Sequence, residues 1–420
     1  MRRRRLLAVA SSSLAIGGCL DTPSRQESPT PGSDTPTERN GTGPTTDREA
    51  DTPTERSGPV RWRAGIGGRI PAPAVDDGSV YAVSTSGIHA FATADGRRRW
   101  SHSTPRSAWL GPAVGGGVVY AAGDGALAAF DAASGAERWR HTWPDETVVE
   151  TMPVVGERAV FVGVSGSSTD RTASTVLEDL WAVDRGGGSR RWKRDSGERD
   201  RTGGVLSGPP VLHGGTLYVQ TRRGTVMALD PSDGSDRWGR RFDGTSGMGG
   251  PTLVAEAGLL VVSAELRAGD RGRQWALVAL GTDEGEERWR VTGIQTAPVS
   301  DGTTVYGGHI ADSGGESTVF ALSAADGSER WQFTKPGRLK MWSSLSTVGG
   351  TLYASFTERT GRGDVNDDHS TLYAVGTDGT EHWRFERRCE GFSRAAGSAD
   401  TVYVAGRYGD GTLYALAPER

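Results

Sequence analysis

Cysteine is nearly absent from this chain: among 420 residues there are two, Cys19 and Cys389. A scaffold stapled by disulfides is therefore excluded. Lysine is almost as scarce, with Lys193, Lys335 and Lys340 the only ones, and the net charge is −4. Nothing in that balance would draw the chain to nucleic acid. The seven histidines are scattered without zinc-ligand spacing. Nucleophile elbows, phosphate loops and triad signatures are likewise missing. No stretch beyond the N-terminal segment shows helical periodicity, and the one apolar run, Leu6 to Gly18, is too short to span a bilayer.

What the chain has is repetition. Ala129 to Trp139 reads Ala-Phe-Asp-Ala-Ala-Ser-Gly-Ala-Glu-Arg-Trp, and variants recur about every forty to fifty residues. Ala182 to Trp192 and Ala228 to Trp238 keep Ala, Asp, Gly and Trp in place, whereas Ala90 to Trp100, Ala279 to Trp289 and Ala321 to Trp331 lose the Asp. Ala374 to Trp383 is one residue shorter. A glycine always stands four before the tryptophan: Gly96, Gly135, Gly188, Gly234, Gly285, Gly327 and Gly379. Asp and Ser favour turns through bonds to nearby backbone, and Gly takes the positive φ a turn needs. The motif is thus a hairpin with Trp on its returning strand, where the ring can pack on the next repeat.

Six units open on Pro-Val or a similar pair (Pro73, Pro112, Pro153, Pro210, Pro251, Pro298), followed by a Gly-rich turn and a strand such as Thr216-Leu217-Tyr218-Val219. Four short strands per unit spell a β-propeller blade. The last repeat ends at Tyr414 to Arg420 without a tryptophan strand, while Ser57 to Trp62 is a tryptophan strand with no blade before it. The fold expected is therefore all-β: an eight-bladed β-propeller of four-stranded blades, closed by the N-terminal strand, which removes exposed sheet edges.

The pattern Ala-x-Asp-x-x-Ser/Thr-Gly-x-x-x-Trp resembles the tryptophan-docking motif of pyrroloquinoline-quinone-like (PQQ-like) propeller repeats, over Gly58 to Arg420. That resemblance implies one of two kinds of protein. Quinoprotein dehydrogenases bind PQQ; BamB-like lipoproteins bind no cofactor and hold other proteins. Fold alone does not choose between them.

Three segments are expected. Residues 1–18 read as a signal peptide, with Arg2 to Arg5 as a basic n-region resembling a twin-arginine signal. Leu14 to Cys19 resembles a lipobox, making Cys19 the lipidated residue; the plainer alternative is an ordinary signal peptide in which Cys19 is incidental. Residues 19–56 are rich in Thr, Pro, Ser and Glu and should form a disordered tether. Asn40-Gly41-Thr42 fits the glycosylation sequon. Residues 57–420 form the propeller.

In such propellers the loops from each outer strand to the next inner strand gather at one mouth of the central channel. The column three residues before the inner proline reads Ile70, Trp109, Glu150, Ser207, Met248, Gln295, Trp342 and Phe392, with Lys340 and Arg394 close by in sequence. It is mostly apolar and aromatic with one carboxylate, either filling the narrow end of the ring or offering a binding surface. Trp109, Glu150, Met248, Gln295, Lys340, Trp342, Phe392 and Arg394 are the candidate partner-binding residues. Long insertions at Ser165 to Glu178, Leu266 to Gln274, Ile310 to Ser317 and Glu358 to Ser370 should emerge on the same face.

The quinoprotein alternative implies adjacent cysteines in a disulfide, a Ca²⁺ held by Glu, Asn and Asp, a catalytic Asp and an aromatic floor. With Cys19 and Cys389 alone, the adjacent pair is impossible. Glu150 could replace one ligand and Trp342 or Trp109 the floor, but no Asn/Asp pair stands at corresponding positions. Asp364 to Asp368 alternates oxygen ligands like a Ca²⁺ loop, yet His369 and Val375 occupy its Gly and closing Glu positions, so it reads as a solvated acidic loop. Cys389 is expected to be a semi-buried free thiol. The sequence thus favours a non-catalytic scaffold, lipid-anchored on the extracytoplasmic face of the membrane, that binds a protein or peptide at its loop face without cofactor. The alternative is a PQQ- and Ca²⁺-dependent oxidoreductase acting on alcohols or sugars.

Overall fold

The computed structural model describes residues 60–417 except 104–109, 124, 145–146, 167–176, 196–205, 243–251, 255–256, 268–271, 311–315, 337–338, 341–343, 359–367 and 407–410. At 166, 177–179, 195, 252–254, 267, 273, 336 and 339–340 the backbone alone is described. The signal, lipidation and glycosylation readings at 1–18, Cys19 and Asn40 lie outside the described residues, as does nearly all of the acidic loop at 364–367.

Eight antiparallel sheets follow one another along the chain. In blade 1 the inner strand is Ala74–Asp76, followed outward by Ser79–Ser84, Gly87–Ala92 and Arg98–His102. Six blades have four strands; in blades 3 and 7 the inner strand is broken in two, so that these sheets count five. Successive inner strands abut, and Ala396–Ser398 of blade 8 lies against Ala74–Asp76 of blade 1. The ring is sealed as the sequence implied. Val60–Gly65 pairs antiparallel with Thr412–Leu416, setting Trp62 opposite Ala415 and Arg63 opposite Tyr414.

The repeated Ala and Trp prove to be cross-strand partners. Ala90 faces Trp100, Ala129 faces Trp139, and the same pairing holds through Ala374 and Trp383. A small residue opposite each indole leaves room for it, and the register shifts by a bulge directly after that pair. In most blades the motif glycine closes the turn by donating to the carbonyl four residues back, as Gly135 does to Asp131. Gly379 instead donates to Gly376, three back. The missing residue of that repeat has come out of the turn, not out of either strand.

Each motif indole from Trp62 to Trp331 then docks on the next blade. Its Nε1 donates to a carbonyl there: Trp62 to Thr93 at 2.9 Å, Trp100 to Ala132 at 3.0 Å, Trp238 to Thr282 at 2.9 Å and Trp331 to Thr377 at 2.7 Å. The face of the ring lies on the motif glycine of that blade. A Cβ on Gly96 would come within 2.5 Å of Trp62, and one on Gly135 within 2.6 Å of Trp100. The glycine therefore answers two demands at once, a left-handed turn and a bare surface for the neighbour's indole. A tyrosine on the second strand often shares the acceptor: Tyr81 and Trp100 both donate to the Ala132 carbonyl, Tyr403 and Trp62 both to Thr93. The core lies between blades in clusters such as Trp62, Ile66, Ile70, Val80 and Tyr403. Burying rings of this size contributes several kcal/mol each at about 25 cal/mol per Å².

Candidate partner-binding mouth

Inner strands begin on the face opposite the docking turns, and the chain approaches them along a common path. Thr151, Thr296 and Ser393 are equivalent along it: each hydroxyl accepts the N–H of the second strand, from Gly163 at 2.8 Å, Gly308 at 2.7 Å and Ala405 at 3.0 Å. Three blades with one device fix the alignment of the column that precedes it.

Among its described residues that column is less apolar at its surface than the sequence implied. Phe392 is wholly buried, its ring 5.5 Å from that of Phe385 in the core between blades 7 and 8. Ile70 is also wholly buried, between blades 8 and 1. Both fill core, and Phe392 is corrected from a partner-binding residue to a packing one. The reason is direction: the register sets where along the channel a residue stands, whereas its side chain turns into the neighbouring blade interface. Ser207 is buried too, donating to the Gln220 carbonyl at 3.1 Å.

Among the described members of the column, Glu150 and Gln295 keep contact with solvent. Glu150 is exposed; Ser165 Oγ donates to its carboxylate at 2.8 Å, and Arg222 of blade 4 approaches to 3.9 Å. An exposed pair at that distance orients the carboxylate while adding about 0–1 kcal/mol. Gln295 is half-buried, and its Oε1 accepts the N–H of Ile310 at 3.3 Å. Arg394 is half-buried, and burial pushes its guanidinium below its ordinary pKa. Lys340 lies on a short strand paired with Thr357, its side chain outside the described residues; Trp109, Met248 and Trp342 are wholly outside them. Sequence reasoning missed Arg222, whose only signal is the short Arg-Arg-Gly turn of blade 4 facing the same side.

The insertions lengthen hairpins on that face. In blades 1 and 2 the second and third strands are six residues each; in blade 5, Leu259–Arg267 and Arg273–Gly281 run nine, pairing as far as Arg267 with Arg273. Ala159–Gly166 with Leu177–Asp184 reaches eight. Part of each insertion is therefore strand raised above the disc, with its tip outside the described residues.

Cys389 is fully buried rather than semi-buried, its thiol 3.4 Å from the Gly391 carbonyl. Among the described residues no group of His, Cys, Asp and Glu is placed to hold a metal ion. No helix there is long and apolar enough to cross a membrane. On the opposite face a cleft of 550 Å³ opens between blades 3 and 4, lined by Phe161, Leu212, His213, Pro231 and Arg158 among others.

A closed ring of eight blades, seven of them pinned by an indole lying on the neighbour's glycine, defines a propeller of the PQQ-like type. The chain belongs to the family described as outer membrane protein assembly factor BamB, whose model matches residues 86–181 and 177–355. No curated protein matches it. Among solved structures it is similar to BamB from Moraxella catarrhalis, at 16% identity and a TM-score of 0.61 over 85% of this chain and 99% of that one. It is similar as well to the computationally designed Ika8 protein, at 12% identity and a TM-score of 0.63 over 86% of this chain and 100% of that one. Quinohemoprotein alcohol dehydrogenase from Comamonas testosteroni gives 15% identity and a TM-score of 0.61, covering 85% of this chain and 76% of that one. An assembly factor, a design and an enzyme share the fold, so these likenesses speak to architecture alone.

Proposed function

We propose that this protein is a non-catalytic scaffold, anchored through a lipidated Cys19 on the extracytoplasmic face of the membrane, that holds a protein partner at its channel mouth. Membership of a family described by an assembly factor supports the reading. The observation that carries it is the concentration of raised hairpins on one face, around a rim of Glu150, Gln295 and Arg394. Trp109, Met248, Lys340 and Trp342 complete the proposed surface. Lengthened loops on a rigid disc are where recognition usually resides. A partner taken there needs neither PQQ nor Ca²⁺, and the tether at 19–56 gives the disc reach from the bilayer.

The test is capture from native membranes with the full tethered chain. Trp109→Ala and Trp342→Ala should weaken recovery of the partner while leaving the thermal transition in place. If these substitutions instead collapse the transition, the rings are core and the surface is misassigned. Reconstitution with PQQ and Ca²⁺ should give neither a bound quinone absorbance nor dye reduction by alcohols or sugars; either signal would make the protein an oxidoreductase.

A further inference from the structure

Six of the eight blades carry a tyrosine at one place on the second strand: Tyr81, Tyr120, Tyr218, Tyr306, Tyr353 and Tyr403. Blade 3 has Phe161 there and blade 5 has Val261. Three of the hydroxyls cross to the docking turn of the next blade, at 3.2 Å for Tyr81 and Tyr218 and 3.3 Å for Tyr403. Between blades 2 and 3 an arginine spans the groove from that turn instead. Arg185 donates to Tyr120 Oη at 3.2 Å, to the Gly115 carbonyl of blade 2 at 2.8 Å and to the Gly156 carbonyl of blade 3 at 3.3 Å. Between blades 3 and 4 both fillers are gone. Phe161 has no hydroxyl to send across, and Pro231 stands where Arg185 stands one blade earlier. The Pro231 carbonyl accepts from Trp192 Nε1 at 3.0 Å, as that of Arg185 accepts from Trp139 Nε1 at 2.9 Å.

What the missing fillers leave is the cleft of 550 Å³, lined by Phe161, Leu212 and Pro231. Its size falls among ligand clefts, which run to about 300–1,000 Å³. The rim is a third departure from the repeat. In blades 2, 4 and 7 the turn out of the inner strand is a Gly-Gly pair, as at Gly116-Gly117, whereas blade 3 has Glu157-Arg158, both exposed. Arg158 lines the cleft, and among the described residues its guanidinium has no bonding partner. Arg191 lines it too. Its bond to Asp184 is 3.3 Å long, against 2.6 Å and 2.8 Å for the equivalent pairs Arg138–Asp131 and Arg237–Asp230. Two guanidinium groups thus face the one carboxylate of the lining, Glu157, beside an apolar floor. Such a cleft favours an anion with an apolar body.

We propose that the cleft between blades 3 and 4 binds a small aryl carboxylate. Its ring lies against Phe161, Leu212 and Pro231, and its carboxylate meets Arg158, with Arg191 adding to the positive field. The planar fork of a guanidinium matches a carboxylate edge-on. A ring loses less conformational freedom on burial than a flexible chain of equal area, which favours the aromatic body. The neighbouring groove is filled from within the chain by Arg185, and this one is left for a ligand from outside. The site takes a small molecule on the face opposite the mouth, so it stands or fails apart from the scaffold reading.

The experiment titrates hydrocinnamate into the whole chain by calorimetry at fixed ionic strength, with hydrocinnamide and acetate as controls. The acid should bind. The amide should bind about tenfold or more weakly, as loss of a charge-assisted bond implies, and acetate, without the ring, should not register. Two variants restore what the repeat uses elsewhere: Arg158→Gly matches Gly117, and Pro231→Arg matches Arg185. Each places a residue this chain already accommodates at the equivalent position, so both should fold, and urea midpoints check that they do. Arg158→Gly removes the cation and Pro231→Arg refills the groove, and each should weaken hydrocinnamate about tenfold or more. The proposal is overturned if hydrocinnamate fails to bind the parent, or if the amide or acetate binds as tightly as the acid. Unchanged binding in either variant overturns it as well.

Discussion

Replacing Gly135 with alanine separates the two duties of the motif glycine. Its φ is 74°, and that of Gly117 in the same blade is 71°. Around Gly117 nothing lies within 4 Å of an added Cβ, whereas at Gly135 the same atom would meet Trp100 at 2.6 Å and 2.8 Å. Gly117→Ala therefore bears the left-handed backbone cost alone, about 1–2 kcal/mol. Gly135→Ala bears that cost and a collision with the body of an indole, which has to retreat. Retreat strains the packing of Trp100 against Tyr81, 5.9 Å between centroids, and lengthens its 3.0 Å bond to Ala132. Overpacking of this kind costs about 1–3 kcal/mol and the weakened hydrogen bond about 1 more. The expected excess of Gly135→Ala over Gly117→Ala is thus about 2–4 kcal/mol, read from urea midpoints at unchanged slope. In a Trp100→Leu background the excess should shrink, because the neighbour that objects is smaller. Equal losses for the two alanines in the parent chain would refute the claim that the indole makes the glycine obligatory.

Two further expectations concern the ring and its pH response. Trp62→Ala removes the indole that docks the closing strand on blade 1, and should cost about 3–5 kcal/mol; a loss under 1 would mean that the strand contributes little to closure. His89 is buried beside Ser84 and Ser86, at 3.4 Å and 3.0 Å, and burial, helped by Arg98, lowers its pKa. Below about pH 6.5 the unfolded chain takes up a proton that folded His89 resists, so stability should decline as pH falls through that value. His89→Gln should flatten the slope between pH 7.5 and 5.5, and an unchanged slope would show that another group sets it.

The ring was legible because its physics is local and repeated. An alanine opposite a tryptophan, a turn and a glycine are all set within eleven residues, and Trp62 announced its missing blade by the same spacing. Less visible was why the glycine admits no substitute, since the indole that lies on it belongs to the preceding repeat. The tyrosine sharing a carbonyl with the tryptophan could be found only once strands were paired. At the mouth, alignment set Ile70 and Phe392 in one column and said nothing of direction. Both rotate into the cores beside them, which alternation along an irregular approach to a strand does not foretell. Cys389, expected to be semi-buried, is fully buried, its thiol turned in against the Gly391 carbonyl.

The scaffold reading stands on which face meets the partner, and photo-crosslinking reads that directly. A photoreactive residue is placed at exposed Glu150 on the mouth and, in a second variant, at exposed His213 beside the cleft on the opposite face. Irradiated in native membranes, the chain should give a discrete protein adduct from position 150 and none from 213. An adduct from 213 alone would move recognition to the cleft between blades 3 and 4 and contradict the account.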